Sequence, residues 1–170
     1  SRGLGDVYKR QAVDKAFGGS GNWTTLDDSG SDVSATVGSG VLTVVTQNDV
    51  EDEGCQLAVT NLNTALEVGQ TYRITADLNE TGAGSNPQIR FGLGGASAPV
   101  SALDGSPSDG TIGNSEETYY ADIIPVNTTG ALTINNPNDS TPQTFTVDNV
   151  SVRKKVSIVT VKAIGTAYSS

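Results

Sequence analysis

The nine residues from Thr71 to Asn79 alternate without a break, and that alternation limits the fold more than any other feature of the chain. Tyr72, Ile74, Ala76 and Leu78 fall on one side, and Thr71, Arg73, Thr75 and Asp77 on the other. A helix would scatter these apolar residues around its circumference, whereas a strand gathers them on one face. One apolar and one polar face describes an antiparallel strand that covers a core on one side only. Residues 88–94 repeat the pattern with Ile89, Phe91 and Leu93 inward, and residues 117–123 place Tyr119, Ala121 and Ile123 on one face.

Gly, Ser, Thr, Asn and Asp interrupt the chain at intervals of about 8 to 12 residues, the rhythm of a sandwich or barrel. Helical patterns are nearly absent. Strands are expected near 22–26, 33–37, 40–46, 55–61, 71–79, 87–94, 117–125, 130–135, 143–153 and 156–163. Between Phe145 and Val152 the apolar phase slips by one residue, which predicts a bulge at Asp148-Asn149. Tyr72, Ile74, Leu78, Phe91, Leu93, Phe145 and Val147 are the expected core. The loops 94–115 and 135–141 are rich in turn residues. The first is long enough that it is either functional or hides a short strand. The chain's 170 residues fit one all-β domain, an antiparallel β-sandwich.

The ends read differently from the middle. Residues 1–11, SRGLGDVYKRQ, show neither apolar period nor strand alternation. They resemble a translated sequencing adapter of the kind seen at the ends of metagenomic reading frames, and are expected to be a non-native tail without stable contacts to the fold. The domain is expected over 12–155, with 156–170 a further strand or the start of a C-terminal region. Without residues 1–11, Lys and Arg fall from 10 to 7, Asp and Glu from 19 to 18, and the net charge moves from −9 to −11.

That acidity excludes nucleic acid as the expected partner, because phosphate binding needs clustered Lys and Arg. Arg153-Lys154-Lys155 is the one basic run and is too short for a groove. No stretch approaches the roughly 18 apolar residues of a membrane span. With no histidine, Ser-His-Asp and Cys-His catalysis are impossible within this chain. Cys55 lies in an apolar run and reads as a buried, inert thiol. The carboxylate runs Asp27-Asp28, Asp49–Glu53 and Glu116-Glu117 read as solvated acidic turns rather than a glycosidase pair. GLGG at 92–95 lacks the Lys-Ser/Thr and helix of a phosphate loop and reads as a turn. Five N-x-S/T sequons, at Asn22, Asn79, Asn127, Asn138 and Asn149, are expected by chance in so Asn- and Thr-rich a chain.

The order AF…NWT, GVLTV, LEVGQTYRITADL, IRFGLGG, ETYYADI and FTVDNVSVRK, over about residues 16–155, resembles the jelly-roll carbohydrate-binding modules found beside cellulases and xylanases. The same fold is widespread in phage and bacterial surface proteins. The resemblance implies two sheets of about five strands, one concave, with sugars bound across the concave sheet or on its rim. It also implies a structural calcium, with Asp148 as one ligand. The acidic partner that such modules carry after the Phe is here Gly18, which leaves Asp14 as its replacement.

Sugars stack on exposed aromatic rings. Trp23, Phe17, Tyr72, Phe91, Tyr119 and Phe145 all fall at expected core positions, Tyr8 is in the N-terminal tail and Tyr168 near the C-terminal end, leaving Tyr120 outward, with Gln88 and Arg90 as hydrogen-bonding companions. One ring is a poor platform. The chain therefore reads as a non-catalytic structural or adhesion domain of a phage virion or cell-surface protein. Its expected partners are surface glycans or other virion or surface subunits. The alternative is a carbohydrate-binding module of a secreted glycoside hydrolase.

Overall fold

A computed structural model of the chain describes residues 7–12, 21–27, 33–47, 52–82, 87–103, 109–137 and 142–156. They form a jelly-roll sandwich of two antiparallel sheets. The first sheet holds β1 (Val7–Ala12), β3 (Ser34–Gly38), β4 (Val41–Val45), β6 (Tyr72–Glu80), β9 (Ser101–Ala102), β10 (Glu117–Ile123) and β12 (Thr144–Val156). Its strand order is β3-β4-β12-β6-β10-β9, with β1 also paired to β12. The second sheet holds β2 (Trp23–Leu26), β5 (Glu53–Ala58), β7 (Arg90–Leu93), β8 (Ala96–Pro99) and β11 (Ala131–Asn136). Its order is β2-β5-β11-β7-β8.

The expected core is the observed one. Tyr72, Ile74, Leu78, Phe91, Phe145 and Val147 are fully buried and Leu93 nearly so, joined between the sheets by Trp23, Leu42, Val44, Leu132 and Ile134. The two largest polar-tipped rings are satisfied: Tyr72 Oη accepts the Glu67 N–H at 3.0 Å, and Tyr119 Oη accepts the Gly113 N–H at 3.1 Å. Cys55 is buried, and burial alone pushes its thiol pKa far up.

The slip in apolar phase is a bulge where it was expected. The β12–β6 register shifts between Asp148 and Ser151, and Asn149 takes φ 50°. The extra residue returns Val150 and Val152 to the core. The long 94–115 connection hides both β8 and β9. At its start Gly94 and Gly95 have φ 54° and 79°, the two positive values that a two-residue hairpin between β7 and β8 demands. The glycine run is thus a turn.

Three expectations are corrected or bounded. Residues 1–11 were expected to pair with nothing, yet Val7–Ala12 runs antiparallel to β12 from Val156 to Ser151. An open sheet edge recruits backbone from any sequence, which side-chain patterning does not register. The expected 11/12 boundary therefore falls inside a strand. The Asp49–Glu53 run is not wholly solvated. Glu53 begins β5 on the inward phase, is buried, and accepts the Gln47 N–H. It joins a polar plug between the sheets in which Thr46 Oγ1 accepts the Gln143 N–H at 3.1 Å and Asn136 Nδ2 lies 3.4 Å away. The strand expected at 156–163 is described only in that β12 extends to Val156; the remainder lies outside the described residues, as does Phe17.

Candidate functional site

Period two in β11 sends Leu132 and Ile134 into the core and leaves Ala131, Thr133 and Asn135 outward. Register carries the same face onto Gln56 of β5, Gly92 of β7 and Ser97 of β8. Together they floor a cleft of about 410 Å³ on the outer face of the five-stranded sheet. Asp52 and Leu26 stand at its edges, and Gly95, Asn127, Thr129 and Gly130 close one end.

Glycine in the floor lets the Thr133 side chain lie flat across the sheet. A Cβ on Gly92 would collide with Thr133 Oγ1, so the hydroxyl occupies the space a larger residue would fill. The cleft's polar groups are held by one another. Gln56 Nε2 donates to the Thr25 carbonyl at 3.0 Å, and Asn135 Nδ2 donates to Asp52 Oδ1 at 2.7 Å. Asn127 Oδ1 accepts the Thr129 N–H at 3.1 Å, an Asx turn. The amides of Val126 and Asn127 both bond the Gly94 carbonyl at 3.0 Å, pinning the end loop to the glycine turn. The result is a groove of fixed amides and hydroxyls with one carboxylate, Asp52, at its edge, able to exchange hydrogen bonds but offering, among the described residues, no nucleophile with a base beside it. Among the described residues no aromatic side chain lines it.

The opposite outer face, on the seven-stranded sheet, is charged. Arg73 Nε and Nη2 grip the two Asp122 oxygens at 2.8 and 2.7 Å, and Lys155 Nζ adds a third contact at 3.1 Å. The Arg73 bonds, with Lys155 assisting, hold the Asp122 carboxyl below the ordinary aspartate range. The Arg73 guanidinium also lies 4.3 Å from the centre of the Tyr120 ring. One pleat along, Thr118 Oγ1 and Asn149 Nδ2 both donate to Asp77.

The expected ligand residues do not form one site. Tyr120 lies on the charged face in β10, while Arg90 belongs to β7 of the other sheet, and Gln88 is exposed just before it in a bridge to Thr111. Alternation assigns each residue an outward direction but not a sheet, and here the two outward directions are opposed. Arg90 is the register partner of Asn135 on the face of the cleft, yet does not line it. Asp148 Oδ1 accepts the Asn149 N–H at 2.7 Å. Its expected companion Asp14 lies outside the described residues. Among the described residues no group of three or more His, Cys, Asp or Glu is placed to hold a metal ion, and no helix is long and apolar enough to cross a membrane. Gln56, Thr133 and Ser97 are the residues that sequence reasoning missed. Their outward phase was readable, but a search led by aromatic rings passes over them.

No family model matches the chain, and no curated protein matches it. Solved structures do match its fold. A xylan-binding CBM22-1 domain from Paenibacillus barcinonensis superposes with TM-score 0.57 and 9% identity, over 90% of this chain and 97% of that one. A family 11 carbohydrate-binding module from Clostridium thermocellum, solved with a β-1,3-1,4-mixed-linked tetrasaccharide, gives 0.58 and 15% over 87% and 96%. The CBM22-1–GH10 modules of a Clostridium thermocellum xylanase, solved with xylohexaose, give 0.54 and 17% over 93% of this chain and 30% of that one. The chain thus has the jelly-roll fold of carbohydrate-binding modules.

Proposed function

We propose that this chain is a non-catalytic, extracellular carbohydrate-binding module that takes a neutral β-linked polysaccharide in the cleft on its five-stranded sheet. The observation that carries the proposal is the cleft itself, an open groove along β11 whose fixed amides and hydroxyls match the hydroxyl-rich edge of a sugar chain. The fold relatives named as xylan-binding and mixed-linkage-glucan-bound modules support the same reading. With no ring to stack on among the described residues, water competes for every hydrogen bond, and the affinity is expected near millimolar, about −4 kcal/mol.

Affinity electrophoresis in gels containing xylan or mixed-linkage β-glucan tests this. Migration should be retarded by at least one polymer, and the retardation should disappear in the double variant Gln56→Ala, Thr133→Val. Mobility indifferent to every polymer would overturn the proposal. The aromatic-free lining favours a second reading, a structural or adhesion domain of a virion or cell-surface protein, and that result would promote it.

A further inference from the structure

A row of charge crosses the outer face of the seven-stranded sheet. Arg153 of β12 is the register partner of Arg73 of β6, which is the partner of Asp122 of β10. Arg73 spends its fork on Asp122, and Lys155 shares the same carboxylate. Arg153 is left over. Its Nε is buried without a hydrogen-bond partner, and among the described residues no acid is paired with its guanidinium. On its other side the register sets Arg10 of β1 opposite it. Two cations, Arg73 and Lys155, thus share the one carboxylate in the row, and Arg153 beside them has none, in a chain of net charge −9. A buried guanidinium donor with cationic neighbours and no acceptor is costly, and a planar oxyanion is the group that satisfies it.

The surroundings specify what carries the oxyanion. Thr75 Oγ1 and Ser151 Oγ, bonded to each other at 2.8 Å, lie one pleat along on the same face. Tyr120 is the register partner of Thr75 and is oriented by Arg73. Hydroxyls and an amphipathic ring beside a cation fit a pyranose bearing one negative group. Asp77 and Asp148, paired in register beyond the bulge, bound the site with negative charge and oppose dense polyanions. We propose that this face is a second glycan site, for an anionic sugar whose carboxylate or sulfate ester is seated on Arg153. It lies on the opposite side of the sandwich from the cleft and does not depend on it.

The test is a nuclear magnetic resonance titration of the full chain with trigalacturonate, a sulfated disaccharide, neutral xylotriose and sodium sulfate. An anionic sugar should shift the amides of Arg153, Thr75 and Tyr120 saturably, and the binding should weaken as salt screens the charge. Arg153→Gln should reduce the affinity at least tenfold, and Arg153→Lys should restore part of it, which separates lost charge from lost fold. Gln56→Ala in the cleft should change nothing, so failure here and failure of the cleft are distinguishable. Which anionic sugar responds tells carboxylate from sulfate ester. The proposal is overturned by the absence of saturable shifts up to roughly 10 mM, by binding that survives Arg153→Gln, or by sodium sulfate binding as tightly as the sugars, which makes the face a simple anion site.

Discussion

Along β11 the outward positions are Ala131, Thr133 and Asn135, and along β6 they are Arg73, Thr75, Asp77 and Asn79. Both strands are central, both alternate cleanly, and both turn Leu and Ile toward the same core. Their outer faces nonetheless became different surfaces. The five-stranded face carries small and uncharged groups around Gly92, with Asp52 alone charged at its edge. The seven-stranded face is filled by long charged side chains lying across the sheet, with Arg73 over Tyr120 and Lys155 on Asp122. Alternation decides which residues point outward, and the size and charge of those residues then decide whether the surface is a groove or a lattice of ion pairs.

The comparison breaks first at what the faces share. Phe145 in β12 and Phe91 in β7 approach the core from opposite sheets, and neither has exposed surface. Truncating either to Ala should cost about 3–5 kcal/mol, measured by denaturant unfolding, and should weaken both faces together. A loss confined to one face would mean that the sheets do not share a single core.

Gly92 sharpens the contrast. Gly92→Ala meets Thr133 Oγ1, so the Thr133 side chain must rotate away from the floor. The expected cost is about 1–3 kcal/mol, with glycan retardation lost and the charged face unchanged. Glu53→Ala tests the polar plug beneath the cleft edge. Removing the acceptor of the Gln47 N–H should cost about 1–3 kcal/mol in the same unfolding assay. A neutral result there would return Glu53 to the solvated turn that sequence suggested.

The smallest effect belongs to the ion pairs. The Asp122 pKa is depressed in the folded state, so its stabilisation is present above the unfolded aspartate value, about 3.9, and disappears as pH falls through the folded value. The group is partly exposed, and the contribution is a few tenths of a kcal/mol up to about 1 kcal/mol. Asp122→Asn should therefore lower stability slightly at pH 7 and leave it unchanged at about pH 2, by thermal melts at the two pH values. An equal deficit at both would assign the effect to packing rather than charge.

Much of this architecture was legible beforehand because it follows from period two. Thr71–Asn79 named its own inward residues, and the phase slip after Phe145 located the bulge at Asn149. The site was less legible for a physical reason. Tyr120 and Arg90 were both read correctly as outward, but which sheet a strand joins is set by long-range pairing, and local alternation carries no trace of it. Glu53 was misread because acidity dominated its neighbourhood, while its inward phase shows only against Cys55 and Leu57. The cleft was missed because its polar lining, Gln56, Ser97 and Thr133, looks in sequence like any solvated strand.

The groove on the five-stranded sheet is proposed as a glycan surface. The most direct test is an amide-resolved titration with xylohexaose and a mixed-linkage gluco-tetrasaccharide. Saturable shifts should appear at Gln56, Gly92, Ser97, Thr133 and Asn135, with apparent affinity near millimolar, while Arg73, Tyr120 and Asp122 stay fixed. Shifts confined to Tyr120 and its neighbours, or none at all, would contradict it.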